Sequence, residues 1–144
     1  MDERVIPILL IEDDAGDVEL LRNMFDDSNL NSTLHVVGDG EDAMRFLRQE
    51  EPFGEAERPH LILLDLNLPD ESGYVVLEKV KSDQDMRRIP VIVLTSANSE
   101  NEVNRAYDLH ANSYIIKPVD FDRFVKVMEL VKTFWFNIVE LPSH

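Results

Sequence analysis

An acidic triplet Glu12-Asp13-Asp14, a lone Asp65, a hydroxyl pair Thr95-Ser96 and Lys117 each stand directly after a short run of aliphatic residues in this 144-residue chain. Brought together, they would suit one kind of chemistry. Clustered carboxylates repel, so one must take up a proton or a cation must neutralise them. An all-oxygen set with no thiolate or histidine nearby favours Mg²⁺. The metal would bridge Asp65 to an incoming phosphoryl group, and the carbonyl of Asn67 could complete its shell. Lys117 would supply a fixed positive point for a phosphate oxygen and Thr95 a hydroxyl donor. Nucleophile, metal and cation are what phosphoryl transfer onto Asp65 needs. Singly, each has an ordinary explanation: a solvated strand-to-helix loop, a turn aspartate, the start of a loop, a surface charge. Their joint placement at strand ends of one sheet is what favours the chemistry.

The elements that must position them follow from the apolar pattern. Leu61-Ile62-Leu63-Leu64 is apolar without alternation, the mark of a strand buried on both faces in a parallel sheet. Pro7–Ile11, Leu34–Val37, Pro90–Leu94 and Ser113–Ile116 read as four more strands. Helices are expected over Asp17–Phe25, Glu41–Arg48, a stretch carrying Val76, Leu77 and Val80, Glu100–Leu109, and from Phe121 onward as far as Val139. The polar segment Glu50–Pro59, with two prolines and a glycine, reads as a mobile loop of unusual length. Five strands alternating with five helices predict an α/β, flavodoxin-like, doubly wound five-stranded parallel sheet in the order 2-1-3-4-5 with helices on both faces. Its switch point lies between strands one and three, where Glu12-Asp13 and Asp65 end.

Composition narrows the partners. Twenty-nine acidic residues against fourteen lysines and arginines give a net charge of -15, which argues against nucleic acid or an anionic membrane as a partner of the general surface. With no cysteine, disulfides and thiolate chemistry are excluded. The amino terminus is no signal peptide and no run is long enough to cross a bilayer. The expectation is one cytoplasmic domain over residues 1–144.

Leu10-Ile11-Glu12-Asp13-Asp14, Leu63-Leu64-Asp65-Leu66-Asn67-Leu68-Pro69, Leu94-Thr95-Ser96 and Tyr114-Ile115-Ile116-Lys117-Pro118, in that order, resemble the receiver domain of two-component response regulators over nearly the whole chain. The resemblance implies that Asp65 is phosphorylated by a partner histidine kinase, so that the protein is a phosphoacceptor rather than a true enzyme. It implies Mg²⁺ bound by Asp13 directly, by Glu12 directly or through water, by Asp65, and by the Asn67 backbone. Thr95 would swing toward the phosphate, Lys117 would pair with it, and the Ser96 amide would contact it. Tyr114 would be a switch whose ring follows Thr95; its ordinary reading is a half-buried edge-strand aromatic. Lys117-Pro118 would be a cis peptide. The long 50–59 loop and extended last helix resemble the small stand-alone regulators of phytochrome-like histidine kinases, with no output domain.

In the last helix, Phe124, Met128, Val131, Trp135 and Ile138 form a stripe that should pack on the sheet. From Thr133 on, the chain is apolar on every side, which predicts docking on a second copy. Two rival functions carry different signatures. A haloacid-dehalogenase-like phosphatase usually has an acid two residues after its nucleophile, where this chain has Asn67. A flavodoxin-like cofactor carrier would not line its phosphate loop with Glu12-Asp13-Asp14.

Overall fold

Consecutive apolar residues can serve two cores at once only in an extended strand, because successive side chains point to opposite faces. The computed structural model describes residues 5–28, 30–95, 104, 113–117 and 120–134. In it, β1 (Ile6–Ile11), β2 (Ser32–Val37), β3 (Leu61–Asp65), β4 (Val91–Thr95) and β5 (Ser113–Ile116) form one sheet. Its order is the expected β2-β1-β3-β4-β5, with every neighbouring pair parallel.

The alternation is plain in the packing. Leu9, Ile11, Ile62, Leu64, Val91 and Val93 face one cluster, where α2 (Gly40–Leu47) and α3 (Gly73–Ser82) add Ala43, Phe46, Leu47, Val76, Leu77 and Val80. Ile8, Leu10, Leu61, Leu63, Ile92 and Leu94 face the other, where α1 (Ala15–Asp27) and the last helix, α4 (Phe121–Phe134), add Leu21, Met24, Phe25, Phe124 and Met128. Phe25 and Phe124 lock α1 to α4, edge to face at 4.8 Å.

Short polar side chains set the helix starts. Asp14 Oδ1 accepts the Asp17 N–H at 2.9 Å, which begins α1 at Ala15, two residues before the expected Asp17. Asp39 does the same for α2 through the Asp42 N–H, at 2.7 Å, and Ser72 for α3.

The segment 50–59 corrects the expectation of a loose loop. Phe53 and Ala56 pack against the core, and the Phe53 ring lies 5.5 Å from Phe46 and 5.9 Å from His35. The Arg58 guanidinium donates to the carbonyls of Asp85 and Leu47. Two apolar side chains and one cation fasten a segment whose prolines and acids alone suggested freedom.

The helix expected over Glu100–Leu109 lies outside the described residues except for Asn104, which is helical. The Lys117-Pro118 peptide and the stretch from Trp135 to Val139 lie outside them too. Among the described residues no helix is long and apolar enough to cross a membrane.

Candidate functional site

Strand register assembles the site. Ile11 pairs with Leu64, so Glu12 and Asp65 are adjacent residues at the carboxyl ends of β1 and β3. Asp65 pairs with Leu94 and Thr95 with Ile116, so Lys117 follows one step beyond the same edge. Glu12 and Asp65 are almost wholly buried, at 1% and 3% exposed, while Asp13 stands at the rim. Carboxylate oxygens of Glu12, Asp13 and Asp65 lie within 4.8 Å of one another.

Lys117 holds the acids together. Its ammonium donates to Glu12 Oε1 at 2.7 Å, Asp17 Oδ2 at 2.8 Å and Asp65 Oδ2 at 3.2 Å, so all three of its protons are in use. Two backbone amides take the remaining oxygens: the Asn67 N–H donates to Asp65 Oδ1 at 3.0 Å and the Asp14 N–H to Glu12 Oε2 at 3.2 Å. Burial pushes the Glu12 carboxyl up to about 7, helped by a hydrogen bond with Asp65 and by that residue's charge, and opposed by Lys117. Burial disfavours charge on Lys117 as well. Its hydrogen bonds to Asp17 and Glu12, with the charges of Asp65 and Glu12, outweigh this and raise it above the ordinary lysine value.

The loop after Asp65 is tightly drawn. Asn67 and Ser72 form an antiparallel bridge, and the Gly73 N–H donates to the Leu66 carbonyl at 2.9 Å. Gly73 sits so close to the strand end that a Cβ there would meet the Asp65 carbonyl oxygen and, at 2.7 Å, Leu66 Cα. Asp70 reaches out of this loop to α2, accepting the Gly40 N–H at 2.9 Å and the Glu41 N–H at 3.0 Å. Slight burial raises its carboxyl, but those backbone donors prevail and hold it below the usual carboxylate value.

The residues singled out from the sequence fall as follows. Glu12, Asp13, Asp65 and Lys117 converge. Asn67 offers its backbone beside Asp65. Thr95 ends β4 at the same edge, but its side chain and Ser96 lie outside the described residues. Tyr114 is half-buried against the cluster under α2 and α3. Asp14 turns its carboxylate to the cap of α1, so only two of the acidic triplet join Asp65.

Asp17 and Asp70, which the structure ties to Lys117 and to α2, carry no such signal in the sequence. An acid in a first helical turn is already explained by the helix dipole, and an aspartate after proline by a turn.

The donor set fits a hard divalent cation. One lysine faces the carboxylates of Glu12, Asp17 and Asp65, with Asp13 beside them, and that excess of negative charge needs a cation or a proton. Glu12, Asp13, Asp65 and the Asn67 carbonyl are the residues that could hold it. A cleft of about 410 Å³, bordered by Asp13, Asn67, Pro69 and Tyr74, opens beside them.

Residues 8–129 match the model of the response regulator receiver domain. The chain is 39% identical to the response regulator Rcp1 of Synechocystis sp., over 94% of this chain and 92% of that one. It is similar to the crystal structure of the phosphorylated cyanobacterial phytochrome response regulator RcpA, with a TM-score of 0.80, 38% identity, and coverage of 92% and 95% of the two chains. The Mn²⁺-bound form of Rcp1 matches with a TM-score of 0.80, 38% identity, and coverage of 96% and 99%. This chain therefore belongs to the response regulator receiver domain family.

Proposed function

We propose that the chain is a response regulator receiver that takes a phosphoryl group on Asp65 from a sensor histidine kinase, with Mg²⁺ as cofactor. The observation that carries this is Lys117 bridging Glu12 and Asp65 beneath a rim carboxylate, Asp13, on one sheet edge. Glu12, Asp13, Asp65 and the Asn67 carbonyl would hold the ion. When bound, it offsets the negative charge of carboxylates and phosphoryl group.

A carboxylate oxygen of Asp65 attacks the phosphorus of a phosphohistidine, the P–N bond breaks, and the imidazole leaves with the electron pair. Lys117 binds a phosphoryl oxygen, and the Thr95 hydroxyl and Ser96 amide bind the others. Phosphorylation adds nearly two negative charges at this edge, and Thr95 and Tyr114 carry the change outward. Water later hydrolyses the acyl phosphate, so the chain contributes to its own dephosphorylation without turning over an external substrate.

Two similar proteins are a phytochrome response regulator by name and a metal-bound receiver. They support a phytochrome-like kinase as the partner and a divalent ion in the acid cluster. A homodimer through the C-terminal helix and a cytoplasmic location complete the reading. Leu130 on α4 is 71% exposed, which supports an apolar contact there. An aspartate-nucleophile phosphatase is the alternative, and Asn67 in place of an acid argues against it.

The test is to treat wild type and Asp65→Asn with acetyl phosphate and Mg²⁺ and weigh both intact. One added phosphoryl on wild type and none on the variant is the expected result. An equal gain on both, or turnover of a phosphomonoester, overturns it.

A further inference from the structure

Lys117 has three protons and three carboxylate acceptors, and the three acceptors are not equivalent. Glu12 is buried and Asp65 nearly so, whereas the Asp17 side chain is 34% exposed. Asp17 nonetheless makes a shorter contact with the ammonium, 2.8 Å, than Asp65 does at 3.2 Å. Its backbone is fixed, because its own N–H is bound by the Asp14 carboxylate in the first turn of α1. A phosphoryl oxygen arriving at Lys117 needs one of the three protons. Glu12 cannot give up the Lys117 hydrogen bond without leaving a buried carboxylate oxygen without its donor. Asp17 can, because water reaches it.

We propose that Asp17 is a positioning residue that draws the Lys117 ammonium toward α1 and competes with the phosphoryl group for it, so setting how tightly the site holds an anion. This rests on the phosphoacceptor reading of Asp65 and adds to it a residue outside the acid cluster. The sign follows from charge. Asparagine at position 17 could still accept a hydrogen bond but would not attract the ammonium as an anion. Lys117 would then bind a phosphoryl oxygen more fully, and the local charge would be one unit less negative. Anion binding should tighten and cation binding should weaken. An acid serving only the α1 dipole would change stability and leave both affinities alone.

The experiment compares wild type, Asp17→Asn, Asp17→Ser, Glu19→Gln and Asp65→Asn. Mg²⁺ is titrated first, then the phosphoryl mimic beryllofluoride at saturating Mg²⁺. Glu19→Gln removes the same charge from an exposed position of the same helix, outside the three partners of Lys117. Asp17→Asn should bind beryllofluoride about fivefold tighter and Mg²⁺ about twofold weaker, the scale of one partly exposed ion pair. Asp17→Ser should move the same way, so a folding defect in one variant does not decide the matter. Glu19→Gln should move neither by as much. Unchanged or weaker beryllofluoride binding in both Asp17 variants, or an equal shift in Glu19→Gln, overturns the proposal. Wild type that binds no beryllofluoride, or Asp65→Asn that binds it equally well, overturns the phosphoacceptor reading and the inference with it.

Discussion

Replacing Gly73 by alanine tests whether the acceptor loop is positioned by a backbone contact. The new Cβ would meet the Asp65 carbonyl oxygen and Leu66 Cα, the latter at 2.7 Å. Both are backbone atoms with no rotamer to escape into. Ordinary contact begins at 3.4 Å, so Leu66 Cα must retreat by roughly 0.7 Å. The helix cannot give easily, because Val76, Leu77 and Val80 fix α3 to the core. The movement therefore falls on residues 65 and 66. Overpacking of this kind costs about 1–3 kcal/mol, and the better helix propensity of alanine returns up to about 1 kcal/mol. A net loss of about 1–2 kcal/mol should lower the melting temperature by roughly 3–10 °C at this chain length. Displacing Asp65 by several tenths of an ångström from Lys117 and Glu12 should slow its phosphorylation by roughly tenfold or more. Thermal melts and intact-mass time courses with acetyl phosphate and Mg²⁺ read the two effects. Gly38→Ala is the control, since its Cβ would find nothing nearer than Asp13 Cβ at 4.0 Å. Wild-type melting and phosphorylation in Gly73→Ala, or equal damage in Gly38→Ala, refutes the reasoning.

Three further outcomes are expected. Asp70→Ala removes the acceptor of the Gly40 and Glu41 amides and should lower stability by about 1 kcal/mol. Because the folded carboxyl is held low, that contribution is present above the ordinary carboxylate value and lost as pH falls through the folded one. Denaturant midpoints of wild type and variant should therefore converge in acid. Glu12 is the opposite case. Its pKa is raised from 4.5 to about 7, so its contribution is full below 4.5 and lost as pH rises through 7. Metal-free wild type should lose stability over that window while Glu12→Gln loses less, and parallel curves would count against the shift. Lys117→Met leaves buried Glu12 and Asp65 without their cation, a loss of about 3–5 kcal/mol before proton uptake relieves it. Its melting temperature should gain more from added Mg²⁺, and fall further on chelation, than that of wild type; equal responses would refute the pairing.

The sheet was legible because β1 is apolar throughout and β3 and β4 are apolar up to their last residues, Asp65 and Thr95, a pattern and length that suit a strand between two layers. The order of strands then followed from the common doubly wound arrangement of alternating strands and helices, and with it the convergence of Glu12, Asp13, Asp65 and Lys117. Less was legible at β2, placed two residues late. It is an edge strand whose half-exposed Ser32 and exposed Thr33 give no hydrophobic signal. Asp17 and Asp70 were hidden for a different reason. Each already has a sufficient local explanation, and their partners lie 100 and about 30 residues away. The fastening of Phe53 to Phe46 and His35 leaves no mark in the sequence, because one aromatic in a proline-bearing acidic stretch has no period to betray it.

The lysine tripod joins points separated by 105, 100 and 52 positions along the chain. Glu12 and Asp65 come together where β1 pairs with β3, but their counter-charge stands just after β5. Without β5, buried Glu12 and Asp65 at the sheet's edge would lose the ammonium that pairs with both of them. The last strand of the sheet is thus also the one that balances the charge of the first and third.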